Sequence, residues 1–153
     1  MNSTPFDWPA WIEARRDVFE RGRSFNQYVG LELEAAGPGW ARMRLDLRPE
    51  VMNPFGAVHG GAIGALIDSV AGTAIAAGTV PEDRIMGTID MQVHYLERGR
   101  GAALIAEGRM VRAGGAVGIA NVEVHDDAGT LVAIGTATFR LGKPGRQRHR
   151  NED

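Results

Sequence analysis

Within the stretch NPFGAVHGGAIGALIDSVAGTAIAAG, residues 53–78, a single carboxylate, Asp68, stands among small and apolar residues. A carboxylate in such surroundings is costly unless something pairs with it or uses it. Nine residues earlier, His59-Gly60-Gly61 offers backbone N–H groups that no bulky side chain shields. If a helix starts there, those donors lack intrahelical partners and lie at the positive end of the helix dipole. Donors of that kind can hold a developing oxyanion. Asn53, in a loop with Pro54 and Gly56, adds a side-chain amide. Carboxylate, anion hole and amide together make a kit for acyl transfer. Each residue also has a plainer reading. Asp68 can be a solvated helix position, His59 a loop residue satisfied by backbone hydrogen bonds, Gly60 and Gly61 a turn and cap, and Asn53 the cap of its own loop.

Such a kit needs a helix to carry it. Ile63, Leu66, Ile67, Val70, Ala74 and Ile75 keep helical spacing and predict a helix over 60–77. On that helix Gly60, Gly64, Asp68 and Gly72 share one i, i+4 ridge. Glycine inside a helix costs about 1 kcal/mol relative to alanine, so the ridge implies close approach by something, a substrate or a second subunit. Upstream, residues 8–28 read as an amphipathic helix with a break near Gly22 and with Trp8, Trp11, Ile12, Val18, Phe19 and Phe25 on its packed face. LELEAA and WARMRLDL each alternate apolar and polar residues, and Gly37-Pro38-Gly39 joins them as a hairpin.

Four more strands are expected at 84–96, 102–112, 116–126 and 131–141. Their short connections predict a four-strand antiparallel meander. The fold class is α+β, an antiparallel sheet of about six strands around a central long helix, with an extra N-terminal helix. The expected organisation is an N-terminal helical extension over 1–27, one domain over 28–142 and a polar mobile tail over 143–153. In the strand at 84–96, alternation sets Ile89, Met91, Val93 and Tyr95 on one face and Thr88, Asp90, Gln92 and His94 on the other. Thr88 can then meet the helix only through an irregular strand start or across a subunit interface; Gly87 permits the first.

Bulk properties narrow the function classes. The 153 residues suit one domain, and 44% hydrophobic with 24% charged residues suits a globular core. A formal net charge of −2 argues against a nucleic-acid binder, and the absence of cysteine excludes thiolate nucleophiles and Cys-ligated metals. His94, His125 and His149 lack metal-ligand spacing, so no metal is expected. The start MNSTPFDWPAWIEARR has no signal-peptide pattern, and Asp68 with several glycines interrupts the longest apolar run, so no membrane segment is expected and the cytoplasm is the expected location.

The spaced set Asn53, Gly56, His59-Gly60-Gly61 and Asp68, followed by the strand GTIDMQVHYL, resembles the signature of hot-dog-fold acyl-CoA thioesterases of the phenylacetic-acid-degradation (PaaI) type. The resemblance covers residues 28 to 141 and implies hydrolysis of a medium-chain or aryl acyl-CoA. No cofactor is needed; coenzyme A is part of the substrate. It casts Asp68 as general base or nucleophile, the Gly60 N–H as oxyanion donor with Gly61 beside it, Asn53 as a contact to water or carbonyl, Thr88 as a holder of the water and His59 as a structural member. It also implies a homodimer or homotetramer in which Asp68 and Thr88 face Asn53 and Gly60 of a partner chain. Arg98, Arg100 and Arg112, at strand ends, are candidates for the coenzyme A phosphates. Two rivals remain on the same fold: an enoyl-CoA hydratase, and an acyl-CoA-binding protein without catalysis.

Overall fold

A computed structural model describes residues 5–20, 24–82 and 84–143. Helix α1 (Trp8–Glu20) is followed by the one-and-a-half-turn α2 (Phe25–Val29), the hairpin β1 (Leu31–Gly37) and β2 (Trp40–Asp46), and the long helix α3 (Gly60–Ala77). Then come β3 (Ile85–Tyr95), β4 (Ala103–Gly114), β5 (Val117–Asp126) and β6 (Leu131–Leu141). The predicted break near Gly22 and all of the tail beyond Lys143, with Arg146, Arg148, His149 and Arg150, lie outside the described residues.

The six strands form one antiparallel sheet in the order β1-β2-β4-β5-β6-β3. This corrects the expected meander. β4, β5 and β6 are consecutive neighbours, but β3 pairs with β6 at the far edge and not with β4. The seven-residue connection 96–102 is the reason: it is long enough to cross the end of the sheet, where it is tied down rather than turned back. Leu96 and Glu97 donate their N–H groups to Val132 O. Further along, the Arg100 and Ala102 N–H groups are held by the carboxylates of Asp126 and Asp127. β2 and β3 thus run in the same direction with three strands between them, and α3 is the crossover that spans the gap.

α3 touches every strand of the sheet. Leu66, Ile67, Val70, Ala71, Ala74 and Ile75 on it are fully buried against Leu31, Leu33, Met43, Leu45, Leu104 and Val122. The fit is reciprocal. A Cβ on Gly118 would lie 2.7 Å from Ile75 Cγ2, and one on Gly135 2.7 Å from Ile67 Cγ2, so the sheet is bare where the helix is bulky. By length and composition α3 could cross a membrane, but two-thirds of it is buried inside the domain, the setting of a core helix.

α1 lies along β1. Trp11, Ile12 and Phe19 pack on the core, as the helical spacing required, whereas Val18 is 47% exposed and Phe25 66% exposed, so neither belongs to the packed face. Phe25 sits on the separate helix α2, whose own axis turns it outward.

Candidate active site

The loop before α3 is built by its own sequence. Asn53-Pro54-Phe55-Gly56 closes with Gly56 N–H donating to Asn53 O (3.1 Å), Pro54 supplying the fixed φ of a turn and Gly56 the positive φ of 73°. Asn53 Oδ1 accepts from the Phe55 and Ala57 N–H groups at 2.9 and 3.1 Å. The loop-cap reading of Asn53 is therefore satisfied at its oxygen. The Nδ2 end has no partner among the described residues and is the part left for chemistry.

His59 is the N-cap of α3: its Nδ1 accepts from the Gly61 N–H at 2.9 Å. That bond removes Gly61 from the pool of open donors, against the expectation that it would serve the substrate. The Gly60 N–H, one residue earlier, meets no acceptor among the described residues. Of the two glycines, only Gly60 thus offers a free donor at the positive end of the helix. A cavity of about 150 Å³ opens beside His59 and Gly61, walled by Phe25, Tyr28, Val29 and Val51 with Arg48 and Glu50. A larger one, about 310 Å³, lies on the face of the sheet turned away from α3, among Gln92, His94, Asn121 and Glu123. None of Asn53, His59, Gly60, Gly61, Asp68 or Thr88 lines it.

Asp68 is half-buried rather than enclosed, and its Oδ1 accepts from Thr88 Oγ1 at 2.7 Å. Plain alternation would turn Thr88 away from the helix. The pairing of β3 with β6 shows how it arrives: Thr88 is opposite Phe139 and Asp90 opposite Thr138, so Ile89 is an extra, bulged residue. The bulge shifts the phase by one, placing Thr88 on the same face as Met91, Val93 and Tyr95, and leaves Ile89 58% exposed. The irregular strand start that Gly87 permits is present: one register shift falls between Ile85 and Gly87, and the one that turns Thr88 follows at Ile89.

The glycine ridge of α3 is covered by this chain itself. A Cβ on Gly60 would lie 3.3 Å from Tyr95 Cζ and Oη, one on Gly64 3.7 Å from Met91 Cε and one on Gly72 3.0 Å from Phe139 Cε1. The expected visitor, substrate or second subunit, is replaced by side chains of β3 and β6, which lie along the ridge with Thr88 meeting Asp68 in its place. Tyr95 went unnoticed as a site residue in the sequence. It donates its hydroxyl to Gly60 O at 2.9 Å, and the signal was a tyrosine closing the strand that faces two glycines.

Two groups therefore form within one chain. Named for the roles that the sequence resemblance implies, Asp68 and Thr88 form an acid end, and the His59–Gly60 start of α3 with Tyr95 and the Asn53 loop before it forms an anion-hole end. Eight residues of helix separate Gly60 from Asp68, about 12 Å along the axis. A thioester carbonyl needs attacking group and oxyanion donor both within about 3 Å of the reacting atoms. One chain does not bring the two ends that close. The arginines divide in the same way. Arg98 and Arg100 are exposed on the connection after Tyr95, whereas exposed Arg112 sits on β4 beyond its own bulge, toward the opposite end of the sheet. Among the described residues no group of three or more His, Asp or Glu could hold a metal ion.

Comparisons with known proteins agree with this architecture. Residues 18–141 match the family described as a domain of unknown function, DUF4442. The medium/long-chain acyl-CoA thioesterase YigI of Salmonella typhimurium is 32% identical over 140 residues, covering 82% of this chain and 90% of the relative. Among solved structures, a Shewanella oneidensis protein related to the thioesterase superfamily is 26% identical with a TM-score of 0.76, covering 92% of this chain and 100% of that one. Zebra fish thioesterase superfamily member 2 has the same fold at 21% identity, with a TM-score of 0.77 over 90% of this chain and 99% of its own.

Proposed function

The chain belongs to the DUF4442 family and to the hot-dog acyl-CoA thioesterases, and on that premise we propose that it hydrolyses medium-chain acyl-CoA in a PaaI-like site shared between two copies. The observation that carries the shared site is the separation of Gly60 from Asp68 on one helix. A second copy removes the difficulty. Among the described residues β3 is an edge strand, paired on one side only, and it exposes Met86, Ile89 and Tyr95, with exposed Leu96 just beyond its end. Antiparallel pairing of two such edges about a two-fold axis sets the Thr88 end of one copy beside the Tyr95 end of the other. Each acid end then faces a partner's anion-hole end.

The chemistry follows from the atoms left free. Thr88 occupies Asp68 Oδ1, so Oδ2 takes the proton of a water that attacks the thioester carbon. The Gly60 N–H receives the oxyanion, and Asn53 Nδ2 contacts the carbonyl or the water. Collapse of the tetrahedral intermediate expels the thiolate of coenzyme A, a leaving group good enough to depart without a strong acid. Direct attack by Asp68, through a mixed anhydride, is the variant of this scheme. A chain rather than an aryl acyl group is favoured by the relative named for medium and long chains. The catalytic unit is residues 28–142, with Arg98, Arg100 and Arg112 as the candidates for the phosphates of the nucleotide end.

The test is free-thiol release across short, medium, long and aryl acyl-CoAs. Asp68→Asn is expected to lower turnover by about 10²–10⁴ with fold and association intact. Mixing Asp68→Asn with His59→Ala is expected to restore about a quarter of wild-type activity, because each mixed dimer rebuilds one of its two sites. Full activity in Asp68→Asn rejects the mechanism; no recovery in the mixture rejects the shared site.

A further inference from the structure

We infer that Tyr95 is a positioning residue for the anion hole, acting through the Gly60–Gly61 peptide on His59; the inference rests on the thioesterase reading above. Two hydrogen bonds, joined through one peptide unit, form a continuous chain. The Tyr95 hydroxyl donates to Gly60 O at 2.9 Å. The other end of that same peptide unit, the Gly61 N–H, donates to His59 Nδ1 at 2.9 Å. A hydrogen bond to a carbonyl polarises its amide, so the phenol strengthens the N–H that reaches the imidazole. A neutral imidazole that accepts at Nδ1 carries its proton on Nε2. The chain thus holds His59 as an Nε2–H donor, one residue from the free Gly60 N–H. In the site proposed above, two donors rather than one serve the oxyanion, and the same two hydrogen bonds hold the turn that carries both.

The phenol is not there merely to satisfy a buried group. Tyr95 is 56% exposed, so water was available to its hydroxyl. Its ring nevertheless lies tight against the Gly60 backbone, with Cζ and Oη both 3.3 Å from where a Cβ would be, and its hydroxyl is 4.0 Å from a Cβ on Gly64. Two helix positions without side chains admit this ring. Thr88 and Tyr95 therefore give β3 a hydroxyl at each end of the site, one on the acid and one on the carbonyl that begins the helix.

Tyr95→Phe keeps the ring and removes the bond. Thiol-release kinetics are expected to show kcat down about tenfold with KM within about twofold. Independently of activity, ¹⁵N-detected imidazole spectra at neutral pH are expected to show His59 in the Nε2–H tautomer in the wild type and a mixture in Tyr95→Phe. Unchanged kcat in the variant, or an unchanged His59 tautomer, overturns the inference. So does a loss of kcat accompanied by dissociation or by a large fall in Tm, since that is a structural role. If the wild type releases no thiol, the thioesterase reading fails, and the tautomer measurement alone still decides whether Tyr95 governs His59.

Discussion

The two edges of the sheet are treated in opposite ways. β1 is seven residues long, bulged between Leu33 and Ala35, and covered by α1. The Arg16 guanidinium reaches over it, Nε donating to Leu33 O at 2.8 Å and Nη2 to Glu34 O at 3.0 Å. Those are carbonyls that a neighbouring strand would otherwise claim. β3 is eleven residues long, has β6 on one side and, among the described residues, no strand on the other, and it exposes Met86, Ile89 and Tyr95. Proteins usually blunt a long apolar edge, because it templates association. This chain blunts one edge and leaves the other, and the open one carries Thr88 and Tyr95. Closing an edge with the chain's own helix serves stability; on the proposal made above, the open edge serves assembly of a site that a single copy holds in two halves.

The contrast can be broken experimentally. The largest effect is expected from lysines on the open edge. Met86→Lys combined with Ile89→Lys should give a monomer by light scattering, with thiol release down about a hundredfold or more as the partner's anion hole is lost. A monomer of full activity would mean that β3 is not where copies meet.

A middle-sized effect belongs to the closed edge. Arg16→Ala should cost about 1–2 kcal/mol through two lost bonds, lowering Tm by roughly 3–6 °C while kcat stays unchanged. A change in kcat at constant Tm would tie β1 to the site and erase the distinction.

The smallest effect concerns the connection that carries β3 to its edge. Asp126 is buried; the Thr130 N–H first, with the Arg100 and Ala128 N–H groups, holds its carboxyl below the usual carboxylate range against the opposing effect of burial. A depressed folded-state value means the ionised form is favoured by folding. Its stabilisation is therefore complete above the ordinary carboxylate pKa and disappears as pH falls through the depressed value. Asp126→Asn should accordingly lower Tm modestly at neutral pH and flatten its decline toward acid, read from melting curves across pH. A variant whose acid limb matches the wild type would show that this carboxylate does not anchor the connection.

How far these arrangements could be read in advance depends on the range of the interaction behind each. The helix over 60–77 was legible to the residue, because apolar spacing and the His59-Gly60-Gly61 start are local. The β1–β2 hairpin was legible from Pro38-Gly39, and the remaining strands to within a residue or two. Asn53, His59, Gly60, Asp68 and Thr88 could be picked out as types and spacings, but Tyr95 could not. Their partners were not legible: alternation alone left open whether Thr88 meets the helix by an irregular strand start or across an interface, the glycine ridge pointed to another molecule, and Gly61 to a free N–H.

What the sequence by itself determined, then, is the set of elements and the chemistry they carry, since periodicity, caps and turns act over a few residues. Tertiary structure alone decided that β3 lies beside β6, that one bulged residue turns Thr88 onto Asp68, and that Tyr95 reaches Gly60. Alternation fixes a strand's faces only until an extra residue shifts the phase, and a strand's neighbour is chosen by which surfaces can pack, a choice made between residues far apart in the chain.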